Sequence, residues 1–205
     1  MDSTQIANTI GTTKIKPYMR RFAFLKESIQ NIKTVGTITR SSRYLSRAVV
    51  KYADLNQANV VVELGAGDGV MTRHILDAMK QDAVLFSFEI NPIFSKQLLK
   101  INDPRLKVIN ISAEKLIEVL GKYGYHSADA VLSALPFTIL PDEMSWNIIN
   151  KCHDIMKQGA KFVQIHYSMK SKHFYRKIFK NVDVHFELRN IPPAFIMISE
   201  KKDLP

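Results

Sequence analysis

From about residue 58 onward the apolar positions switch between a period of two and a period near 3.6 in regular alternation. Residues 59–65 are a β-branched run closed by glycine, and Val70, Ile75, Leu76 and Met79 then share one helical face. The same reading predicts strands over 83–90, 106–111, 128–135 and 160–167, with helices over 92–101, 113–124 and 142–156 between them. Pro92 suits the first turn of its helix, and Gly159 suits the end of the last one. Two closing strands, 182–190 and 194–201, are joined through Asn190-Ile-Pro-Pro193. Short strands alternating with helices predict an α/β fold with a doubly wound parallel sheet. The closing pair predicts seven strands in all and an antiparallel edge.

Before residue 58 the pattern is helical. Tyr18, Phe22, Leu25, Ile29 and Ile32 form one apolar stripe flanked by Arg20, Arg21 and Lys26. Such a helix packs on the domain or lies in a membrane interface. Residues 168–180 repeat the chemistry, with Phe174, Tyr175, Ile178 and Phe179 among Lys170, Lys172, Arg176, Lys177 and Lys180. The chain therefore divides into a basic N-terminal helical segment, 1–57, facing substrate or membrane, and a core, 58–205.

Charge sharpens this picture. The net charge is +10, and between Lys14 and Lys51 ten basic residues stand against the single acid Glu27. Two basic segments could form one anion-facing surface. The single cysteine, Cys152, cannot form an internal disulfide, and no Cys/His spacing resembles a metal site, so a reducing cytoplasm and no metal are expected. The first residues have no secretory apolar core, and no stretch approaches a membrane span. At 205 residues and 46% apolar content a proper core is available.

The strongest chemical signal is Glu63-Leu-Gly-Ala-Gly-Asp-Gly69. Glycines 65, 67 and 69 let the backbone turn tightly and approach a ligand closely. A dinucleotide cradle needs a glycine at position 70, where this chain has Val70. Preceded by Glu63, the G-x-G-x-G turn resembles motif I of the class I S-adenosylmethionine-dependent methyltransferases. That resemblance implies a Rossmann-like methyltransferase fold, with Glu63, Gly65, Ala66, Gly67, Asp68 and Gly69 around S-adenosylmethionine. Glu89, twenty-four positions beyond Gly65 and ending the second strand, is the expected ribose ligand. Ile90 would cover the adenine. Where the family commonly has Gly-Asp-Ala after the third strand, this chain has Ile111-Ser112-Ala113, so Ser112 or Glu114 would contact adenine beside Ala113.

The end of the fourth strand, Ser133-Ala-Leu-Pro-Phe-Thr-Ile-Leu-Pro141, carries motif IV. An rRNA adenine dimethylase would read Asn-Leu-Pro-Tyr here, and Ala134 removes that polar clamp. The stretch is more similar to the Ser-Gly-Leu-Pro-Leu-Leu-Ser-Leu-Pro of bacterial phospholipid N-methyltransferases. Residues 35–50 likewise resemble that family's Val-Gly-Ala-Ile-x-Pro-Ser-Ser-Arg-x-Leu-Ala, with Arg40 replacing its proline. The resemblance spans about residues 22–200 and implies methylation of a phosphatidylethanolamine-like amine by a cytoplasmic protein, peripheral at an anionic inner membrane surface. Each nearby Lys or Arg contributes roughly 1 kcal/mol of attraction there.

On this reading Ser133 joins the cofactor set, and Ser41, Ser42, Arg43, Leu135 and Tyr167 the acceptor set. Ser41 and Ser42 equally suit helix capping. Methyl transfer needs a neutral amine, so desolvation or a base is required. His166 and Tyr44 are the candidate proton acceptors. The Pro136 carbonyl and the Phe137 ring face would orient the amine. The competing readings are an rRNA adenine N6-dimethyltransferase, a methyltransferase of another amine-bearing lipid such as an ornithine lipid or of a small metabolite, and a non-catalytic lipid-binding module.

Overall fold

The computed structural model describes residues 41–202. The apolar stripe of residues 18–32 and Arg40 lie outside them. Seven strands form one sheet: β1 (Val60–Leu64), β2 (Val84–Phe88), β3 (Leu106–Ile109), β4 (Ala128–Ser133), β5 (Met156–His166), β6 (Asp183–Glu187) and β7 (Ala194–Glu200). Their order is β3-β2-β1-β4-β5-β7-β6, with β7 running opposite to the other six strands. The fold is the mostly parallel, doubly wound sheet that the alternation predicts.

Helices α1 (Arg43–Ala53) and α2 (Val70–Ala78) cover one face. Helices α4 (Leu116–Lys122), α5 (Asp142–Ile155) and α6 (Lys172–Phe179) cover the other, and α3 (Pro92–Leu98) packs beside β3. Ser42 starts α1 by accepting the Leu45 N–H on its hydroxyl, which satisfies one of the donors a helix start leaves free. Leu45, Val49, Val50 and Ala53 of α1 are buried against Val61, Ile75, Val163 and Ile165. Full burial of such side chains stabilises by roughly 1.5–3 kcal/mol each, so the described part of the N-terminal segment is built into the core layer.

One boundary moves. Helix α5 stops at Ile155 rather than near Gly159, because Met156 is already extended and pairs with Ala128. Gly159, at φ +76°, then bends β5 internally while its N–H donates to the Lys201 carbonyl.

Strand alternation decides what faces the site. Phe162, Gln164 and His166 point to the α5–α6 face of β5, and Val163 and Ile165 to the α1–α2 face. The carboxyl ends of β1, β2, β3 and β4 meet at one edge, where open parallel sheets bind ligands.

Candidate active site

The turn after β1 is tied to its neighbour strand. The N–H groups of Gly65 and Ala66 both donate to the Phe88 carbonyl, at 2.8 and 3.2 Å. Gly65 and Gly67 have φ of +77° and +57°, which side chains rarely adopt. The Glu89 carboxylate, nearly buried, accepts the N–H of Gly67 on one oxygen and that of Asn91 on the other, each at 2.7 Å. Asn110 from the end of β3 donates to the Glu89 carbonyl at 2.7 Å. Three strand ends are thus cross-linked around one turn.

Above this turn lies a largely apolar cavity. Gly65 and Gly67 meet Phe88, Glu89 and Ile90 on one side, and Ile111, Ser112 and Ala113 on the next. Ala134, Leu135 and Pro136 close it from β4, while Phe94, Leu140 and Ile148 reach in from the helices. Phe94, Ile111, Leu140 and Ile148 were not singled out in the sequence as site residues. The helical periodicity that marks Phe94 and Ile148 as apolar does not say that they face a cavity.

Glu63 is fully buried on the other side of β1. One carboxylate oxygen accepts the hydroxyls of Ser87 at 2.6 Å and Thr72 at 2.8 Å, and the other has no partner. Burial pushes its pKa up from 4.5 to about 7, against the two hydroxyls, which lower it. A carboxyl whose folded pKa lies above its unfolded one stabilises the fold below about pH 4.5, and that contribution is lost as pH rises through about 7. Glu63→Gln is therefore expected to remove a pH-dependent loss of roughly 3 kcal/mol. Urea unfolding at pH 5 and pH 8 checks this: the stability of the variant relative to wild type should rise over that interval, a difference in which the opposite contribution of His166 cancels, whereas parallel pH profiles would show that Glu63 does not titrate there.

At the end of β4, Ser133 is buried and its hydroxyl accepts the Leu135 N–H at 3.2 Å, so it shapes the turn without lining the cavity. Gln164, buried on β5 and not anticipated, donates from its side-chain nitrogen to the carbonyls of Leu135 at 2.9 Å and Ile165 at 2.7 Å. Pro136 lines the cavity, but its carbonyl accepts the N–H groups of Ile139 and Leu140, at 3.0 and 3.3 Å. That turn of chain corrects the expectation for Phe137. Its N–H folds back on the Leu135 carbonyl, its ring is 1% exposed within the core, and Leu140 takes the place at the cavity wall.

His166 is likewise not brought to the cavity. Strand alternation sends it under α6, where Nε2 lies 2.9 Å from the Tyr175 hydroxyl, and burial lowers its pKa to about 4. A ring held neutral there does not meet an acceptor in the crevice. Of the residues after β3, Ser112 and Ala113 line the cavity. Glu114 instead points to α5, where it accepts from Asn147 at 3.3 Å, while its backbone carbonyl accepts from Lys151 at 2.6 Å. Ala66 is buried in the turn, and Asp68 accepts the Val70 N–H at the entry to α2. Gly69 is at φ +82°, where an added Cβ would press on Leu98 at 2.9 Å.

The expected acceptor residues gather beside the β5 end. The Ser42 N–H donates to the Asn190 side-chain oxygen at 2.8 Å, and Asn190 also reaches the Tyr167 hydroxyl at 3.4 Å. Tyr44 accepts from Arg43 at 3.1 Å. Ser41, half-buried, precedes the helix cap.

This geometry can be set against known proteins. The chain is 31% identical over 176 residues to an ornithine lipid N-methyltransferase of Singulisphaera acidiphila, a match covering 84% of this chain and 92% of that one. The chain belongs to the same family, the class I S-adenosylmethionine-dependent methyltransferases. No family model matches. Among solved structures, an O-methyltransferase from Thermotoga maritima superposes with a TM-score of 0.60 at 16% identity, over 88% of this chain and 72% of that one. The O-methyltransferase of tomaymycin synthesis from Streptomyces achromogenes, determined with S-adenosylmethionine, gives 0.63 at 13% identity, over 87% and 89%. Both report the fold.

This methyltransferase uses S-adenosylmethionine, and its residues fit that group. An added Cβ on Gly67 would meet nothing within 4 Å, so the glycine faces open space, and Glu89 lines the same cavity beside it.

Proposed function

We propose that this methyltransferase transfers methyl groups to the terminal amine of a membrane lipid headgroup, of the ornithine-lipid or phosphatidylethanolamine kind. The observation that carries the reading is the acceptor side of the cavity. Leu135, Pro136, Ala134 and Leu140 offer no polar side chain, and the Leu135 N–H, the Leu135 carbonyl and the Pro136 carbonyl are already bonded within the protein. A nucleobase edge would leave its polar groups unpaired there, which costs about 1–3 kcal/mol for each. An aliphatic amine leaves far fewer. The relative at 31% identity, an ornithine lipid N-methyltransferase, supports the same choice.

The cofactor supplies an electrophilic methyl on a sulfonium. Glu89, whose carboxylate is oriented by the N–H groups of Gly67 and Asn91, would accept ribose hydroxyls, and Ile90, Phe94 and Ile111 would flank the adenine. Ser112, with Ala113 beside it, would meet the edge of the base. Apolar walls disfavour an ammonium, so the amine enters or reacts in its neutral form with its lone pair free. Positioning against the methyl then supplies much of the rate.

A peripheral place on an anionic, cytoplasmic-side membrane belongs to the same proposal. Ile139, Tyr167, Met169, Leu188 and Ile191 are exposed on the loops after β4, β5 and β6, at the edge of the sheet that holds the cavity, and Leu188 and Ile191 are 70% and 82% exposed. Lys170, Lys172 and Arg189 stand among them. No helix among the described residues is long and apolar enough to cross a membrane.

Incubation with methyl-labelled S-adenosylmethionine and vesicles containing ornithine lipid or phosphatidylethanolamine, or with ribosomal RNA, tests the proposal. Label is expected in chloroform-soluble material. Label in RNA, or in neither, overturns it.

A further inference from the structure

Beside the crevice, where α1 begins and β5 and β6 end, two guanidinium groups gather around one ring. Those of Arg43 and Arg189 each lie 5.0 Å from the Tyr44 ring centroid. The field of Arg43, Arg189 and Arg47 holds the Tyr44 phenol below its ordinary pKa, with the hydrogen bond from Arg43 the largest cause. Like charges drawn together repel, so something must hold them.

The frame is visible. Glu187, nearly buried, accepts Nε of Arg189 at 2.8 Å and Nη2 at 2.7 Å, which fixes the plane of the guanidinium and leaves its other edge outward. Asn190, fully buried, accepts the Ser42 N–H and donates to the Pro192 carbonyl at 2.8 Å and to the Tyr167 hydroxyl. This clamps the β6–β7 loop onto the first turn of α1 and onto the end of β5. Arg43 has no carboxylate partner among the described residues.

The position relative to the crevice follows from register. Ser133 pairs with Gln164, so Tyr167, the residue after β5, leaves the sheet at the same edge as Leu135 and Pro136, which follow the neighbouring β4. Neighbouring strands are about 4.8 Å apart, a span comparable to the few bonds between the amine and the acidic group of a zwitterionic headgroup.

We infer that Arg43 and Arg189, set by Tyr44, Glu187 and Asn190, form a subsite for the anionic group, carboxylate or phosphate, of a zwitterionic headgroup whose amine occupies the cavity. This rests on the lipid amine reading above and adds the residues that choose among amines. A neutral-spacer amine lipid has nothing to place there.

Two measurements test it. First, the Tyr44 phenol is titrated by carbon-13 NMR, assigned with Tyr44→Phe, in the presence of Nα-acetylornithine, glycerophosphoethanolamine or ethanolamine. The two anion-bearing compounds are expected to raise its pKa back toward the ordinary value, and ethanolamine is not. No shift with either anion overturns the subsite. Second, methylation is followed in uncharged detergent micelles, which removes general attraction to an anionic surface. Arg189→Gln, and separately Arg43→Gln should the first variant fold poorly, are expected to raise KM at least tenfold for ornithine lipid or phosphatidylethanolamine. The kcat should stay within about twofold, and KM for an amine lipid with an uncharged spacer should not change. Whichever zwitterionic lipid suffers the larger loss identifies carboxylate or phosphate as the natural group. An equal loss on all three acceptors overturns the inference. Should none of the lipids be methylated while the Tyr44 titration still moves, the subsite stands and the lipid amine reading falls.

Discussion

Alanine at position 89 is expected to weaken S-adenosylmethionine binding at least a hundredfold, measured by isothermal titration calorimetry. Glu89 holds the N–H groups of Gly67 and Asn91 at 2.7 Å each, and a hydrogen bond to an ionised group contributes roughly 1.5–3 kcal/mol. Losing both releases the glycine turn from β2 and the start of α3 together, and the proposed ribose acceptor goes with them. About 3 kcal/mol corresponds to a hundredfold in affinity. Glu89→Gln should fall between the two proteins. Its amide keeps one acceptor oxygen but turns an NH2 group toward one of two backbone donors. Circular dichroism and a thermal melt distinguish lost binding from lost folding. An alanine variant that binds within threefold of wild type would show that the cofactor is held elsewhere.

The residues legible in the sequence are those whose chemistry is local. Three glycines at alternate positions need only a turn between β1 and α2, and the structure puts Gly65, Gly67 and Gly69 there at positive φ. The place of Glu89 beside that turn is legible because β2 neighbours β1 and both end at the carboxyl edge of the sheet, while its role toward the ribose belongs to the proposal. Phe137 and His166 were misread because their side chains are directed by contacts distant in sequence. Phe137 follows a proline whose carbonyl captures Ile139 and Leu140, and that local coil turns the ring inward. His166 shares the face of Phe162 and Gln164, and only the docking of α6 shows that this face is covered by Tyr175. Gln164 and Asn190 carry no motif at all. Their roles, bonding the Leu135 carbonyl and joining the Ser42 N–H to the Tyr167 hydroxyl, exist only once β5, α1 and the β6–β7 loop are assembled. A charge map of the sequence includes Arg189 and cannot pair it with Arg43, 146 positions away.

Gly67→Ala is expected to act on the cofactor and Gly65→Ala on the protein, which makes the pair a direct test of the cradle. Both glycines lie at positive φ, so alanine costs each roughly 1–2 kcal/mol of backbone strain. For a domain of this size each kcal/mol lowers Tm by about 2–4 °C. At position 67 nothing further is added, because no atom lies within 4 Å of the new Cβ. At position 65 the Cβ meets Leu135 Cδ2 at 3.1 Å and the Ala134–Leu135 backbone at 3.4 Å, and that backbone is pinned by Ser133 and Gln164. Gly65→Ala should therefore show the larger fall in Tm, together with a distorted β4 turn. Gly67→Ala should melt within a few degrees of wild type yet bind S-adenosylmethionine more than tenfold more weakly, since its methyl group occupies space the ligand needs. If Gly67→Ala bound the cofactor normally, the open side of that glycine would not be the cofactor's side, and the place of S-adenosylmethionine in the crevice would have to be redrawn around the end of β4.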